Sequence, residues 1–324
     1  MSVVILTEKE LRRCVAVDRE AVDAVAACFT ALADGKAESP PIMHIEIAEH
    51  EGDIDIKSAF LSGFDRVAVK IAAGFYNNHK QGLPNSPASV VLVSARTGVV
   101  EAVLLDNAFL TDLRTGAAGA VAARHLAPAK VETAGVIGSG VQARYQMEAL
   151  KLERDFERIL VQGRSKANVE TYVSEMAERL DVRVEAAPDM ETLVRESQVV
   201  VTTTTSKAPL VMADWLHPGL LVTSVGSDLA GKQELEAACL NRAGLVVCDR
   251  WAQCSKMGEL QHGALTEGQV TEIGEITAGR AKGRTSEDEI IVCDLTGTGA
   301  QDTAIGNVAY DKALAAGMGL RIEN

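Results

Sequence analysis

The sequence predicts an α/β protein made of a doubly wound parallel sheet and a second, α+β domain. The chain has 324 residues, which is more than one compact core usually accommodates. Strand-like segments follow one another in its first third, whereas strands and helices alternate afterwards. Aromatic residues make up only 4% of the chain while Ala, Val and Gly are abundant, a composition that suits closely packed α/β layers.

The first third of the chain, residues 1–111, predicts one helical region followed by strands. Apolar residues recur at helical spacing within residues 7–35, and Pro40 and Pro41 end that pattern. The strands that follow are predicted at residues 43–47, 54–61, 66–72, 88–94 and 99–105, with a hairpin turn at a Thr-Gly pair before the last. Because the strands are consecutive, we expect an α+β domain here.

From Thr111 onward, strands alternate with helices. An Ala-rich helix is expected over residues 112–127, capped by Thr111 or Asp112 and ended by Pro128. Strands are then predicted at residues 131–137, 158–162, 182–186, 199–202, 220–225, 245–248 and 290–295, and helices at residues 141–152, 166–180, 190–196 and 303–317. This order predicts a doubly wound parallel sheet over residues 112–302.

Charge and cysteine spacing exclude several classes of protein. A net charge of -13 and a pI near 5.0 disfavour a nucleic-acid partner. The six cysteines are not spaced as disulfide pairs or metal ligands, so we expect reduced thiols and no metal site. Charged residues interrupt the N-terminal segment, and no apolar stretch reaches the ~20 residues of a membrane span. We therefore expect a cytoplasmic protein that binds no membrane.

A glycine-rich segment directly follows the predicted strand 131–137 and opens a predicted helix. Gly138 would give the tight turn, Gly140 would let the backbone approach a pyrophosphate at the helix N-terminus, and Ala143 would allow close packing of helix on strand. The strand–glycine–helix context predicts a Rossmann domain that binds an NAD(P) cofactor through Gly138, Ser139, Gly140, Val141 and Gln142. The alternative is a plain glycine-rich turn.

The end of the next predicted strand bears on the choice between NAD and NADP. An NAD-selective site usually has an acidic residue there for the ribose 2′-hydroxyl, but residues 162–166 contain none. Arg164 with Ser165 favours a 2′-phosphate and therefore NADP. Alternatively, Arg164 stacks on the adenine and both cofactors bind.

Four further residues are candidates for chemistry. Arg114 lies early in its predicted helix, where the helix dipole disfavours a positive charge. A guanidinium at this position is explained if it binds an anionic ligand. Lys70 lies inside an apolar strand, either on a solvated face or in a cleft with an anion, where burial would lower its pKa. Asp228 follows a strand end and either faces the nicotinamide or caps a turn. His44, also in a strand, is a candidate for the substrate cleft.

With these residues in view, the chain resembles the ornithine cyclodeaminase/mu-crystallin family nearly from end to end. The resemblance rests on five segments: Val69-Lys70, Leu110-Thr111-Asp112-Leu113-Arg114-Thr115, Gly138 to Ala143, Val225-Gly226-Ser227-Asp228 through Leu235, and Gly297-Thr298-Gly299-Ala300-Gln301-Asp302. It implies a homodimer, and a substrate-binding and dimerisation domain formed by residues 1–111 and completed by 303–324, around a Rossmann domain of residues 112–302.

The resemblance also assigns roles to the candidate residues. Lys70 and Arg114 would hold the substrate carboxylate and its reacting nitrogen, and Asp228 would be the acid/base, with Lys70 as a second catalytic group. His44 stands where the family usually has an arginine after the proline pair, which argues against ornithine as substrate. We add Lys57 as a further positive partner for a dicarboxylate.

The expected nucleotide contacts extend beyond the glycine segment and Arg164. They are distributed along the chain: Ser86, Arg114, Thr115, Ser165, Thr203, Thr204, Val225, Gly226, Lys232 and Thr298.

The function that these features predict is that of an NAD(P)H-dependent imine reductase or amino-acid dehydrogenase. Within the family, the stretch from residues 55–59 to residues 124–126 resembles the branch of iminosuccinate reductases and ectoine-utilisation cyclodeaminase-like proteins, which favours reduction of iminosuccinate to aspartate. One alternative is a cyclodeaminase that converts a diamino acid to a cyclic amino acid with release of ammonia. Another is a non-catalytic NADPH-binding protein like mu-crystallin.

Overall fold

A computed structural model describes residues 2–75 and 77–323. The chain forms two compact units, Met1–Arg114 with Thr298–Asn324, and Thr115–Gly297. These boundaries lie three and five residues from those expected, at 111/112 and 302/303. Arg114 and Asp302, whose buried side chains form an ion pair, both lie in the first unit.

The strands and helices occupy most of the described chain. Up to the first long helix they are β1 (Ser2–Thr7), α1 (Glu8–Cys14), α2 (Arg19–Ala33), β2 (Ala37–Glu38), β3 (Met43–Ile47), β4 (Gly52–Leu61), β5 (Arg66–Phe75), β6 (Ala88–Ser94), β7 (Val100–Leu105) and α3 (Phe109–Leu126). The chain continues with β8 (Thr133–Ile137), α4 (Val141–Glu153), β9 (Arg158–Gln162), α5 (Lys166–Leu180), β10 (Arg183–Ala186), α6 (Met190–Glu196), β11 (Val199–Thr202), β12 (Lys207–Val211) and β13 (Leu221–Ser224). It closes with β14 (Gln233–Leu235), α7 (Ala237–Arg242), β15 (Leu245–Cys248), α8 (Trp251–Met257), β16 (Thr271–Glu272), α9 (Ile273–Thr277), β17 (Ile291–Asp294), α10 (Gly299–Ala315) and β18 (Leu320–Glu323). Single turns of 3-10 helix lie at Ala48–His50, Asn78–Gln81, Ala213–Trp215, Glu259–His262 and Glu267–Gln269.

The first unit is built on one mixed sheet. Its strand order is β18-β1-β7-β6-β5-β4-β2, with β3 also paired to β4, and all neighbours are antiparallel except β1 and β7. Side chains alternate between the two faces of the sheet, and α10 packs on β4, β5 and α2. The buried face of the sheet and α10 therefore form the core of this unit.

The N-terminal region differs from the single helical region expected over residues 7–35. Thr7 and Glu10 form a capping box that starts α1 directly after β1, and Asp18 accepts a hydrogen bond from the Ala21 N–H to start α2. β1 and its antiparallel partner β18 were not predicted.

Helix α3 begins at Phe109, three residues before the predicted start at 112. Its cap is neither Thr111 nor Asp112 but Asp106, whose Oδ2 accepts a hydrogen bond from the Leu110 N–H at 2.9 Å. The prediction was wrong because the entry to the helix uses two left-handed residues, Asn107 (φ 49°) and Ala108 (φ 70°), which the sequence does not indicate.

The second unit contains an eight-stranded sheet whose neighbouring strands are all parallel, in the order β10-β9-β8-β11-β13-β17-β15-β16. Its central strands are buried and rich in Val, Ile and Leu, as expected for strands covered on both faces. The order reverses direction between β8 and β11, which is the topological switch point of a doubly wound sheet. The predicted fold class is therefore confirmed.

A small parallel pair, β12 and β14, was not predicted. Within the described residues, no helix combines the length and apolar character needed to cross a bilayer.

Candidate active site

A cleft of about 600 Å³ opens at the carboxyl ends of β8 and β11, next to the switch point of the second unit. Open α/β sheets bind their ligands at this position. The cleft is lined by the glycine segment, by the turn after β9 and by the loop after β11 (Ile137, Gly138, Ser139, Gly140, Gly163, Arg164, Ser165, Asn168, Met190, Thr203, Thr204, Thr205, Ser206 and Leu210). Seven of the predicted nucleotide contacts thus share one cleft: Gly138, Ser139, Gly140, Arg164, Ser165, Thr203 and Thr204.

The glycine segment has the shape that a dinucleotide requires. Gly138 has a φ of +117°, and a Cβ added there would clash with the Thr203 hydroxyl. A Cβ on Gly140 would meet nothing within 4 Å, so space for a ligand remains beside its backbone. The Arg144 guanidinium donates to the carbonyl oxygens of Ser139 (2.8 Å) and Gly140 (3.0 Å). These carbonyls are therefore occupied. Helix α4 begins directly after the segment, and a helix N-terminus favours an anion, so the segment fits a pyrophosphate.

The turn after β9 is the part of the cleft where a preference for NAD or NADP is expected to be determined. Gln162 holds this turn, since its side-chain oxygen accepts from the Gly163 N–H and its amide donates to the Ala187 carbonyl. The Ser165 hydroxyl accepts from the Asn168 N–H and caps α5. Arg164 is exposed at the cleft, so its guanidinium is the cation available to a 2′-phosphate.

We expect Arg164→Ala to weaken NADP⁺ binding about tenfold and NAD⁺ binding much less, because one charged hydrogen-bonding partner of the 2′-phosphate is lost. Calorimetric titration of both nucleotides measures this difference, with Lys166→Ala as the neighbouring control. Equal weakening of both nucleotides would instead indicate stacking on adenine.

In the first unit, two cations share one buried carboxylate. Lys70 on β5 places its Nζ 2.9 Å from Oδ1 and 2.8 Å from Oδ2 of Asp302, and the Arg114 Nε lies 3.2 Å from the same Oδ1. Burial lowers the pKa of Lys70 to about 8, although Asp302 opposes the shift. Burial disfavours the charge on Asp302, but Lys70 and Arg114 outweigh it and hold the pKa of Asp302 below its ordinary value. Lys70 is therefore not on a solvated face.

Lys57 and Gln301 extend this cluster. Lys57 on β4 is buried and lies directly opposite Lys70 on β5 in the strand register. Like charges placed opposite each other on adjacent strands repel. Gln301 accepts from the Arg114 Nη1 at 3.0 Å, and its own buried side-chain nitrogen has no hydrogen-bond partner within residues 2–75 and 77–323. Three cations thus face one carboxylate, which creates a site for an anionic ligand.

His44 on β3 lies on the same face of the sheet, opposite Asp55, which is two positions along β4 from Lys57. Its Nδ1 is 2.7 Å from Oδ1 of Asp55, its cross-strand partner, and this hydrogen bond raises the pKa of His44. Half of the His44 side chain is exposed. When protonated, His44 is paired with Asp55, so it adds less positive charge to the cluster than Lys57 does.

Asp106 is a buried acid that was not among the predicted site residues. Burial raises its pKa to about 6, against the effect of the Leu110 N–H and of the nearby Lys70. Its Oδ1 has no hydrogen-bond partner among the described residues. Asp302 was also missed as a site residue, although it ends one of the five motif segments.

Asp228 lies in the second unit, in the loop after β13, and its side chain is 44% exposed. Lys232 donates to Asp228 Oδ1 at 2.6 Å, so the two predicted site residues are an ion pair. Val225 and Gly226 precede Asp228 in this loop. A Cβ on Gly226 would clash with the Thr204 backbone, so only glycine fits there.

The remaining predicted nucleotide contacts lie outside the cleft lining. Val141 and Gln142 begin α4, and the Thr115 carbonyl accepts from the buried amide of Gln146. Ser86 is exposed in the loop before β6, and Thr298 is buried as the N-cap of α10; both belong to the first unit.

Comparison with known proteins places this chain among amino-acid dehydrogenases and related enzymes. The model of the ornithine cyclodeaminase/mu-crystallin family matches residues 1–317. A putative dehydrogenase of Rhizobium meliloti is 43% identical over 99% of this chain and 98% of its own. An uncharacterized cyclodeaminase of Sinorhizobium fredii is 41% identical over 95% of each chain. The iminosuccinate reductase of Paracoccus denitrificans is 33% identical over 98% of this chain and 99% of its own.

Solved structures agree with these matches. An archaeal alanine dehydrogenase dimer with bound NAD gives a TM-score of 0.93 at 34% identity and covers 100% of this chain and 99% of its own. The Thermococcus litoralis Δ1-pyrroline-2-carboxylate reductase with NADH and L-proline gives 0.93 at 30%, covering 98% and 100%. The Paracoccus denitrificans iminosuccinate reductase with NAD⁺ gives 0.93 at 30%, covering 100% of both chains. The chain belongs to the ornithine cyclodeaminase/mu-crystallin family.

Proposed function

We propose that this protein reduces a small 2-imino acid to the amino acid with NAD(P)H, and that its substrate is iminosuccinate, which gives aspartate. The observation that carries the proposal is the cluster of Lys57, Lys70 and Arg114 around the carboxylate of Asp302. Its cations outnumber the neighbouring carboxylates, Asp302 and Asp106, which suits an acidic substrate, since a buried cation needs an opposite charge.

The enzyme class follows from the family. The chain is an NAD(P)-dependent oxidoreductase acting on C=N and CH–NH2 groups, as its characterised relatives are. The choice between NAD and NADP depends on Arg164. Relatives described with NAD or NADH support NAD, whereas an arginine without an acidic neighbour in the turn supports NADP.

Each side chain has a part in the proposed reaction. When bound, the reduced nicotinamide supplies the hydride that adds to the imine carbon. Arg114 and Lys70 hold the substrate carboxylate and so fix the position of that carbon. Asp228, or a water that it holds, delivers the proton to the imine nitrogen, so that the C=N bond becomes CH–NH2. With a pKa of about 8, Lys70 can also exchange a proton near neutral pH.

The proposal is tested by following the absorbance of reduced nicotinamide with purified protein, ammonia and a panel of 2-oxo acids. We expect ammonia-dependent oxidation of NADH or NADPH. The rate should be higher with oxaloacetate than with glyoxylate or pyruvate. Release of ammonia from ornithine or diaminobutyrate without net cofactor turnover would contradict it in favour of a cyclodeaminase. No turnover in either assay would support a non-catalytic binding protein.

We further propose that the protein is a homodimer formed through the face of the first sheet opposite α10. That face is apolar across adjacent strands, since Ile56 lies opposite Ile71 and Val69 lies opposite Val91. Ile71 is 44% exposed. Large apolar side chains that are exposed on a continuous face normally mark an interaction surface. The archaeal alanine dehydrogenase with this fold is described as a dimer, which supports the same assembly here.

Replacing Ile71 by aspartate is expected to convert the dimer to a monomer, because the interface would have to bury an unpaired charge. Light scattering after size-exclusion chromatography measures the mass. Leu83→Asp, which alters an exposed apolar residue in a loop, is the control and should leave the dimer intact. A monomeric wild type, or a dimeric Ile71→Asp variant, would contradict this assembly.

A further inference from the structure

A buried carboxylate beneath the nucleotide cleft connects two loops of the second unit. Glu234 on β14 accepts hydrogen bonds from the Thr202 hydroxyl at 2.7 Å, the Gly226 N–H at 2.9 Å and the Ser224 hydroxyl at 3.3 Å. Its other oxygen accepts from the Thr204 N–H. The donors come from the ends of both β11 and β13, so one side chain joins the two strand ends.

Both strand ends belong to the predicted nucleotide site. Thr203 to Ser206, directly after β11, line the cleft. Gly226, directly after β13, packs so closely on the Thr204 backbone and on Glu234 that a Cβ there would lie 2.6 Å from Glu234 Oε1. A shift of the Glu234 carboxylate would therefore move the cleft wall and the loop that carries Asp228 together.

The surroundings of Glu234 make its charge state sensitive to pH. Burial raises the pKa of Glu234 to about 7, although hydrogen bonds from Thr202 and Thr204 oppose the shift. Glu259 is the ionisable group that faces it. Glu259 accepts from the N–H groups of Glu234 and Leu235, shares the Ser224 hydroxyl, and has His262 beside it. Protonation would turn an accepting oxygen of Glu234 into a donor and break its match to the backbone N–H groups.

We propose that Glu234 is the positioning residue of the nucleotide site, and that its carboxylate must be ionised for the loops after β11 and β13 to bind the dinucleotide. The inference rests on the proposed nucleotide-dependent function and adds to it a buried residue that lies outside the cleft lining. NAD(P)⁺ affinity should therefore decline on acidification through pH 7, because only the ionised form of Glu234 holds both loops.

The test is calorimetric titration of NAD⁺ and NADP⁺ into the whole protein between pH 6 and 9, without substrate. For wild type we expect constant affinity above about pH 7 and about a tenfold loss per pH unit well below it. Glu234→Gln should bind about tenfold more weakly at pH 8, because an amide cannot accept all four hydrogen bonds, and should lose the pH dependence between pH 6 and 8.

Two further variants separate positioning from folding. Thr202→Val removes a hydrogen bond that stabilises the ionised form, so the midpoint of the pH dependence should move to higher pH, whether or not Glu234→Gln folds. Glu236→Gln is the matched control, since Glu236 accepts from the Ala213 N–H on a different loop, and it should bind like wild type.

The outcomes are distinct from those of the function assay. Any of three results would overturn the inference. Glu234→Gln could bind with wild-type affinity and pH dependence, Thr202→Val could leave the midpoint unshifted, or neither nucleotide could bind. A protein that binds nucleotide with the expected pH dependence but reduces no imine would instead contradict the proposed function alone.

Discussion

Replacing Asp302 by asparagine is expected to lower kcat/KM for the imino acid by about two to three orders of magnitude. Asp302 is the one carboxylate that Lys70 and Arg114 share, and the expected decrease corresponds to about 3–4 kcal/mol of lost transition-state stabilisation. The amide of asparagine carries no negative charge. The Arg114 guanidinium therefore loses its ion pair, and Lys70 gives up its proton more readily. Initial-rate kinetics on oxaloacetate and ammonia measure this loss.

The pH profile distinguishes this explanation from simple unfolding. The pKa of Lys70 is about 8, so a protonated Lys70 that holds the substrate predicts that kcat/KM falls as the pH rises through about 8. Asp302 raises the pKa of Lys70, so its removal should move this fall to lower pH. Asp311→Asn, an exposed position on the same helix, is the control. A folded Asp302→Asn variant with the wild-type profile would refute the assigned pairing.

Asp228→Asn is expected to lower kcat by about 10²–10⁴-fold while leaving NAD(P)⁺ affinity unchanged. Asp228 is partly exposed, so it is accessible for proton transfer. It is paired with Lys232 and not with Glu234, so its substitution leaves the buried hydrogen bonds of Glu234 intact. Asp214→Asn, at a highly exposed position of the same unit, is the matched control. Single-turnover kinetics and calorimetry measure the two effects. Wild-type turnover in Asp228→Asn would remove it from the mechanism.

Local sequence patterns predict the parallel sheet and its nucleotide cleft well, because both depend on short-range features. Each central strand is an apolar run bounded by turns, and the glycine segment directly follows β8. The pairing of β1 with β18, in contrast, joins segments from the two ends of the chain, and no local pattern encodes such a contact.

The cationic cluster could be predicted only in part. Lys70 and Arg114 stood out because a charge in an apolar strand or a helix start needs an explanation. Asp302 was missed because the last helix was expected to begin at residue 303, whereas α10 begins at Gly299. A signal was present, since Thr298 followed three residues later by Gln301 is a capping-box pattern that starts a helix there. The contact of Lys70 and Arg114 with Asp302 depends on the tertiary structure, so no local sequence pattern predicts it.

The most direct test of the proposed function follows the hydrogen and the nitrogen into the product. Purified protein is supplied with oxaloacetate, ¹⁵N-ammonium and NADH or NADPH deuterated at C4 of the nicotinamide, on the face that is transferred. The proposal predicts aspartate that carries deuterium on its α-carbon and ¹⁵N in its amino group, in amounts equal to the cofactor oxidised. Malate as the product, or cofactor oxidation that does not require ammonium, would contradict it.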